Sequence, residues 1–223
     1  MHKFNKTQSI ALTGVFSAII FLLTFTPQVG FIQVPLIGSA TTVHIPVIIG
    51  SILLGPKYGA ILGFTFGLAS FIFASTMSTT LTAFAFTPLL PVPGTASGSP
   101  WALLIAFGPR MLVGIVPSLV FSGLMKIMSG KFTIAHISIA AIAGSATNTI
   151  LVLHLIYFMF RDAWTYARET AAVTAPTITY PFVMGLITAA GIPEAIAAAV
   201  ITPAVCVALF AVAARLPQRQ EAH

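Results

Sequence analysis

This chain of 223 residues is predicted to be all-α: a polytopic membrane protein with six transmembrane helices. Three observations carry that prediction. Only 6% of the residues are charged while 57% are hydrophobic, and the mean hydropathy is +1.02. A soluble domain carries roughly 25% charged residues, so there is too little polar surface here to face water, and lipid must cover the body. The length fits about six spans of roughly 20 residues with their connections. The basic residues, drawn against six spans, fall almost entirely on one side.

The spans are expected at about 9–26, 43–55, 58–77, 101–127, 132–160 and 190–214, within a single membrane domain over residues 1–223. The first begins after Lys3 and Lys6 and lacks a small-residue cleavage site, so it reads as an uncleaved helix and not as a signal peptide. The second is short and carries Pro46 and Gly50, which makes it broken or only part of a crossing. The turn Gly55-Pro56-Lys57-Tyr58-Gly59 folds spans two and three into a hairpin. Segment 78–100 is rich in Thr, Pro, Gly and Ser without charge; segment 161–189 carries Arg161, Asp162, Arg168 and Glu169, and part of it reads as an interfacial helix ending at Pro176.

Lys3, Lys6, Lys57, Lys126, Lys131, Arg215 and Arg219 share one side, and the other holds Arg161 and Arg168 offset by Asp162 and Glu169. By the positive-inside rule both termini are cytoplasmic. The three long connections, 27–42, 78–100 and 161–189, then face outward and read either as a lid over an outward pocket or as plain linkers. The net charge of +6 does not point to nucleic acid, because the basic residues are scattered between apolar runs and serve orientation. Cys206 is the single cysteine, so no internal disulfide forms.

Few residues can carry chemistry. Arg110 lies nine residues into span four, about 14 Å deep and near the midplane. A charge there must face a cavity or a partner. Its guanidinium suits a substrate carboxylate or phosphate through two parallel hydrogen bonds, or it is structural, satisfied by helix carbonyls or by Glu194. Asn148, midway along span five, faces the interior and either binds substrate or ties helices together. His154, six residues on, is a candidate pocket residue or a satisfied buried histidine. His44, after Thr41 and Thr42, either closes the outer mouth or sits at the interface. Glu194 is a further substrate-binding candidate; the alternative is a carboxylate in the first turn of span six, after Pro193, answering the helix dipole. Gly14 and Ala18 form a small-xxx-small pair on span one that lets another helix approach closely. There is no Walker A, HExxH, CxxC or GxSxG pattern. No ATP site, catalytic constellation, metal site or cofactor is therefore expected.

Two adjoining runs, Thr41-Thr42-Val43-His44-Ile45-Pro46-Val47-Ile48-Ile49-Gly50 and Leu53-Leu54-Gly55-Pro56-Lys57-Tyr58-Gly59-Ala60, resemble the substrate-binding S components of energy-coupling factor (ECF) vitamin transporters. Three later runs extend the resemblance over most of residues 8–210: Pro109-Arg110-Met111-Leu112-Val113-Gly114, Gly144-Ser145-Ala146-Thr147-Asn148-Thr149 and Gly191-Ile192-Pro193-Glu194-Ala195-Ile196. Within the family the sequence is most like the pantothenate-specific branch; His44 stands in the neighbourhood where the riboflavin branch tends to be acidic. The resemblance implies a site near the outer face, formed by the first outer loop and spans four to six. It implies a transmembrane coupling subunit and two cytoplasmic ATPase subunits as partners, in the plasma membrane of a prokaryote. It also implies docking through small residues of the first helix, where Gly14 and Ala18 stand for the family's two alanines. An S component for riboflavin, hydroxymethylpyrimidine or folate, a stand-alone secondary carrier, and an intramembrane enzyme are the other readings. The lack of internal repeats weighs against the carrier, and the lack of paired acidic residues or metal ligands within spans weighs against the enzyme.

Overall fold

The computed structural model describes residues 4–26, 30–34, 38–78, 80–128, 134–170 and 178–215. Lys3, Lys131, Pro176 and Arg219 lie outside them.

Helix α1 spans Lys6–Phe25 and starts at a reciprocal cap: the Asn5 side chain accepts from the Gln8 amide at 2.8 Å, and the Gln8 side chain accepts from the Asn5 amide at 3.0 Å. A short antiparallel hairpin follows, β1 (Phe31–Val34) against β2 (Gly38–Thr41), with Phe31 opposite Thr41. It stands within the 27–42 connection, which was expected to be a loop. α2 (His44–Leu54) has 11 residues, about 16 Å, well short of a hydrocarbon core roughly 30 Å thick. Its residues from His44 to Leu53 are all buried, which suits a helix apolar on every side: it runs through the middle of the bundle, against α1 and α3 to α6. Gly55, at φ +86, turns the chain, and Pro56 opens α3 (Pro56–Thr76) at a position where its missing amide is not needed. A 3-10 turn at Ala83–Ala85 is buried within the next connection. α4 covers Trp101–Ile127, α5 Ile134–Thr170 with a kink at Phe160, and α6 Tyr180–Arg215.

Helices α1, α3, α4, α5 and α6 are long and apolar enough to cross a membrane. Large apolar side chains such as Ile10, Leu22, Phe64, Leu119, Ile150 and Val200 stand exposed around them, as a lipid-covered perimeter requires. Two boundaries depart from expectation. The expected start of the last span at 190 sits inside α6, which begins ten residues earlier and runs on through Pro193 and Pro203. The fifth helix continues past residue 160 after its kink, so the helix expected within 161–189, with Arg161, Asp162, Arg168 and Glu169, is its continuation; the expected end at Pro176 lies outside the described residues.

Prolines persist inside these helices because neighbours take the carbonyls they free. Pro203 frees the Ala199 carbonyl, and Ser138 of α5 donates to it at 3.0 Å. Pro109 frees the Ile105 carbonyl, with a consequence described below.

The α3–α4 contact is the tightest in the fold. Gly59, Gly63 and Gly67 recur every four residues along α3, so they share one face. That face lies on the α4 backbone: a Cβ at Gly59 would overlap the Gly114 carbonyl, one at Gly63 the Arg110 carbonyl, and one at Gly67 would come within 2.8 Å of the Ala106 carbonyl. Only glycine allows this approach. It fixes the rotation of α4 and therefore the direction in which Arg110 leaves the helix.

Two apolar cores result. One surrounds α2 and includes Ile48, Leu62, Phe66, Val113, Ala141 and Ala198. The other joins the 83–92 segment to the hairpin-side halves of α4, α5 and α6 through Phe84, Ile105, Val152, Phe160 and Val183.

Candidate substrate-binding site

Between the two cores lies a polar seam. On α4, Arg110 falls between Ile105 of one core and Val113 of the other; on α5, Ser145, Asn148 and Thr149 fall between Ala141 and Val152; on α6, Glu194 falls between Leu186 and Ala198. The depth of these residues follows from one contact: Gly144 packs against Pro117 and Ile48. One turn from it towards the hairpin lie Asn148 on α5 and His44 on α2; Arg110 lies seven residues from Pro117 in the same direction, about 10 Å.

Arg110 is 5% exposed. Its Nη1 donates to the Ile105 carbonyl at 2.7 Å, the acceptor that Pro109 leaves free. The guanidinium lies 5.4 Å from the ring centre of Phe66 and 4.6 Å from that of Phe86, so each core supplies one wall of the cage. Its Nε has no partner. Among the described residues the one ion pair is Arg161–Asp162 at 3.2 Å, so no carboxylate answers Arg110.

Three more seam groups are buried with polar atoms unpartnered: Asn148 at Oδ1, Ser145 at Oγ, and His44 at both ring nitrogens. Together they offer a cation with a free N–H, an amide acceptor, a hydroxyl, and an imidazole with one donor and one acceptor. Buried polar atoms are nearly always paired. Arg110, His44, Asn148 and Ser145 fall along roughly 10 Å of the bundle's depth, and these unpaired groups make the seam the candidate site for a small polar solute.

Glu194 has a different setting. It lies fifteen residues into α6, so the helix-start role does not apply: α6 begins at Tyr180, upstream of the Gly191-Ile192-Pro193 run that reads as a break in the sequence. Its Oε1 accepts from the Thr41 amide at 2.6 Å and its Oε2 from the Thr149 hydroxyl at 2.5 Å. His154 stands apart from the unpartnered groups. Its Nδ1 donates to the Ile150 carbonyl at 2.7 Å, which leaves Nε2 to accept from the Tyr180 hydroxyl at 3.2 Å, among the rings of Tyr157 and Phe158. Gly14 and Ala18 are exposed on α1, and a Cβ on Gly14 would meet no atom within 4 Å.

Sequence reasoning did not single out Ser145, Thr149 or the Phe66–Phe86 cage. The four-residue glycine spacing on α3 was a readable signal for the seam's geometry. Arg168, expected in the outer 161–189 connection with its interfacial helix, is buried at the end of α5, 4.7 Å from the centre of the Phe182 ring.

Residues 8–206 match the family described as "ECF transporter, substrate-specific component". The chain is 40% identical over 194 residues to the pantothenic acid transporter PanT of Lactococcus lactis subsp. cremoris, covering 86% of this chain and 95% of that protein. The chain therefore belongs to the substrate-specific component family of ECF transporters.

Proposed function

We propose that the chain is the pantothenate-binding subunit of an ATP-driven vitamin importer, a multi-pass protein of a prokaryotic plasma membrane. The observation that carries the reading is the buried, carboxylate-free guanidinium of Arg110 in a layer of unpartnered polar atoms. Pantothenate brings one carboxylate, two hydroxyls and an amide. Its carboxylate pairs with Arg110, and its hydroxyls and amide reach Asn148, Ser145 and His44. The 40% identity to a pantothenic acid transporter supports the same solute.

In this reading five long helices cross the membrane, α2 with the hairpin completes the sixth span, both termini are cytoplasmic, and the hairpin end faces outward. α2 reaches only part of the depth, and β1–β2 occupies the remainder. The exposed Gly14–Ala18 face of α1 docks on a transmembrane coupling subunit driven by two cytoplasmic ATPases, because the open surface there admits a close helix. His154 serves the outer aromatic rim beside Tyr180.

Equilibrium binding to the purified chain in lipid nanodiscs tests the solute. Pantothenate is expected to saturate the protein, with riboflavin, hydroxymethylpyrimidine and folate failing to compete. Tight binding of one of those three with none of pantothenate would overturn the assignment.

A further inference from the structure

The geometry points to Glu194 as a positioning residue: a latch that fastens the β1–β2 hairpin to α5 and α6 and sets how fast the solute leaves, without touching it. This rests on the solute site proposed above for its kinetic consequence, though not for the latch itself.

Both carboxylate oxygens are engaged within the chain. Oε1 takes the amide of Thr41, 153 residues away and the last residue of β2. Oε2 takes the hydroxyl of Thr149 on α5. Glu194 is 7% exposed, and among the described residues no cation pairs with it. Because Glu194 is buried, breaking either hydrogen bond leaves an oxygen without a partner, which is costly.

Thr41 is where the hairpin closes. Its hydroxyl donates to the Gly30 carbonyl at 3.2 Å, and the Thr42 amide donates to the same carbonyl at 3.0 Å, so both ends of the hairpin meet at one point. α6 is the helix against which β2 packs. The Gly30 side rests on the last turn of α1, where a Cβ would overlap the Leu23 carbonyl. Releasing Glu194 therefore detaches the base of the hairpin from α5 and α6, while the Thr41 and Thr42 bonds to Gly30 still hold its two ends together beside α1. His44, three residues beyond Thr41, begins α2 in the seam, so the latched base of the hairpin is joined directly to one of the unpartnered groups.

The test uses Glu194→Gln, Glu194→Ala and Thr149→Val in the full chain in nanodiscs. Amide hydrogen exchange of the solute-free protein is read at the segment containing Thr41 and Thr42. Exchange there should rise about tenfold in Glu194→Ala and less in the other two, with the α3–α4 contact unchanged. Dissociation of radiolabelled pantothenate should accelerate by a similar factor with the association rate held within about twofold. The neutral alcohol analogue of pantothenate should show the same ratio.

Unchanged exchange at the hairpin base overturns the latch whether or not pantothenate binds. A loss that depends on which analogue is used overturns the claim that Glu194 leaves the solute untouched. Failure to bind pantothenate, with local exchange still faster, rejects the solute and keeps the latch. Should Glu194→Ala not fold, Thr149→Val removes one strap only and carries the same readouts.

Discussion

Replacing Arg110 separates a solute-binding cation from a brace, because the two roles give opposite balances of stability and affinity. In the solute-free protein the guanidinium gains a charged hydrogen bond to the Ile105 carbonyl, of order 2 kcal/mol, and contacts with two phenyl rings, about 2 kcal/mol when desolvated. Against these stands the cost of a buried, unpaired ion, several kcal/mol. The terms nearly cancel, so Arg110→Met, which keeps much of the volume, should change the stability of the solute-free protein by less than about 1 kcal/mol. Binding should respond differently. Loss of a charge-assisted pair with the solute carboxylate weakens it by at least about 2 kcal/mol, roughly 30-fold. Arg110→Lys should recover only part, since an ammonium lacks the planar fork. The assays are thermal unfolding in detergent without solute and titration calorimetry with pantothenate and its neutral alcohol analogue. The alcohol should bind the wild type poorly and lose little more in Arg110→Met. Equal losses for acid and alcohol, together with a clear drop in solute-free stability, would refute the contact and make Arg110 a brace between the two phenyl rings.

Three other outcomes follow from the same geometry. Asn148→Leu removes an unpartnered buried acceptor, so the solute-free protein should be no less stable by thermal unfolding while affinity falls about tenfold by calorimetry. Gly63→Ala places a Cβ on the Arg110 carbonyl and should cost about 1–3 kcal/mol of stability with a parallel loss of binding, whereas Gly14→Ala, which meets nothing, should change neither. Gly14→Leu or Ala18→Leu should leave binding within about twofold yet abolish uptake into proteoliposomes that contain the coupling subunit and ATPases; the wild-type chain alone should bind solute without accumulating it.

The helices were legible because apolar runs are their own signal in a bilayer, and Arg110 was legible because a charge within such a run is costly and rare. The reading failed where neighbours overrule local chemistry. Gly191-Ile192-Pro193 looks like a helix start, but in a bundle the surrounding helices re-satisfy what a proline breaks, and α6 runs straight through. The Phe86 wall over Arg110 comes from a Thr- and Pro-rich connection with no periodicity to read. The partners of Glu194 are 153 and 45 residues away, and no local pattern encodes such distances. The short hairpin was missed because an outer connection of mixed composition gives no strand-length alternation to set it apart from a loop.

The separation of the two apolar cores also bears on how a chain of this kind changes its cargo over time. Arg110, Ser145, Asn148 and His44 belong to neither core, so exchanging one of them leaves the two clusters of apolar side chains on which folding chiefly depends complete. Most substitutions in a packed interior are purged because they take the protein below the stability it needs. On the site proposed above, the residues facing the solute stand largely outside that penalty, since the frame that orients them is built from glycine contacts and apolar side chains elsewhere. A lineage can therefore rewrite which small molecule it accepts by successive single changes, each of them viable, while the helices keep their positions.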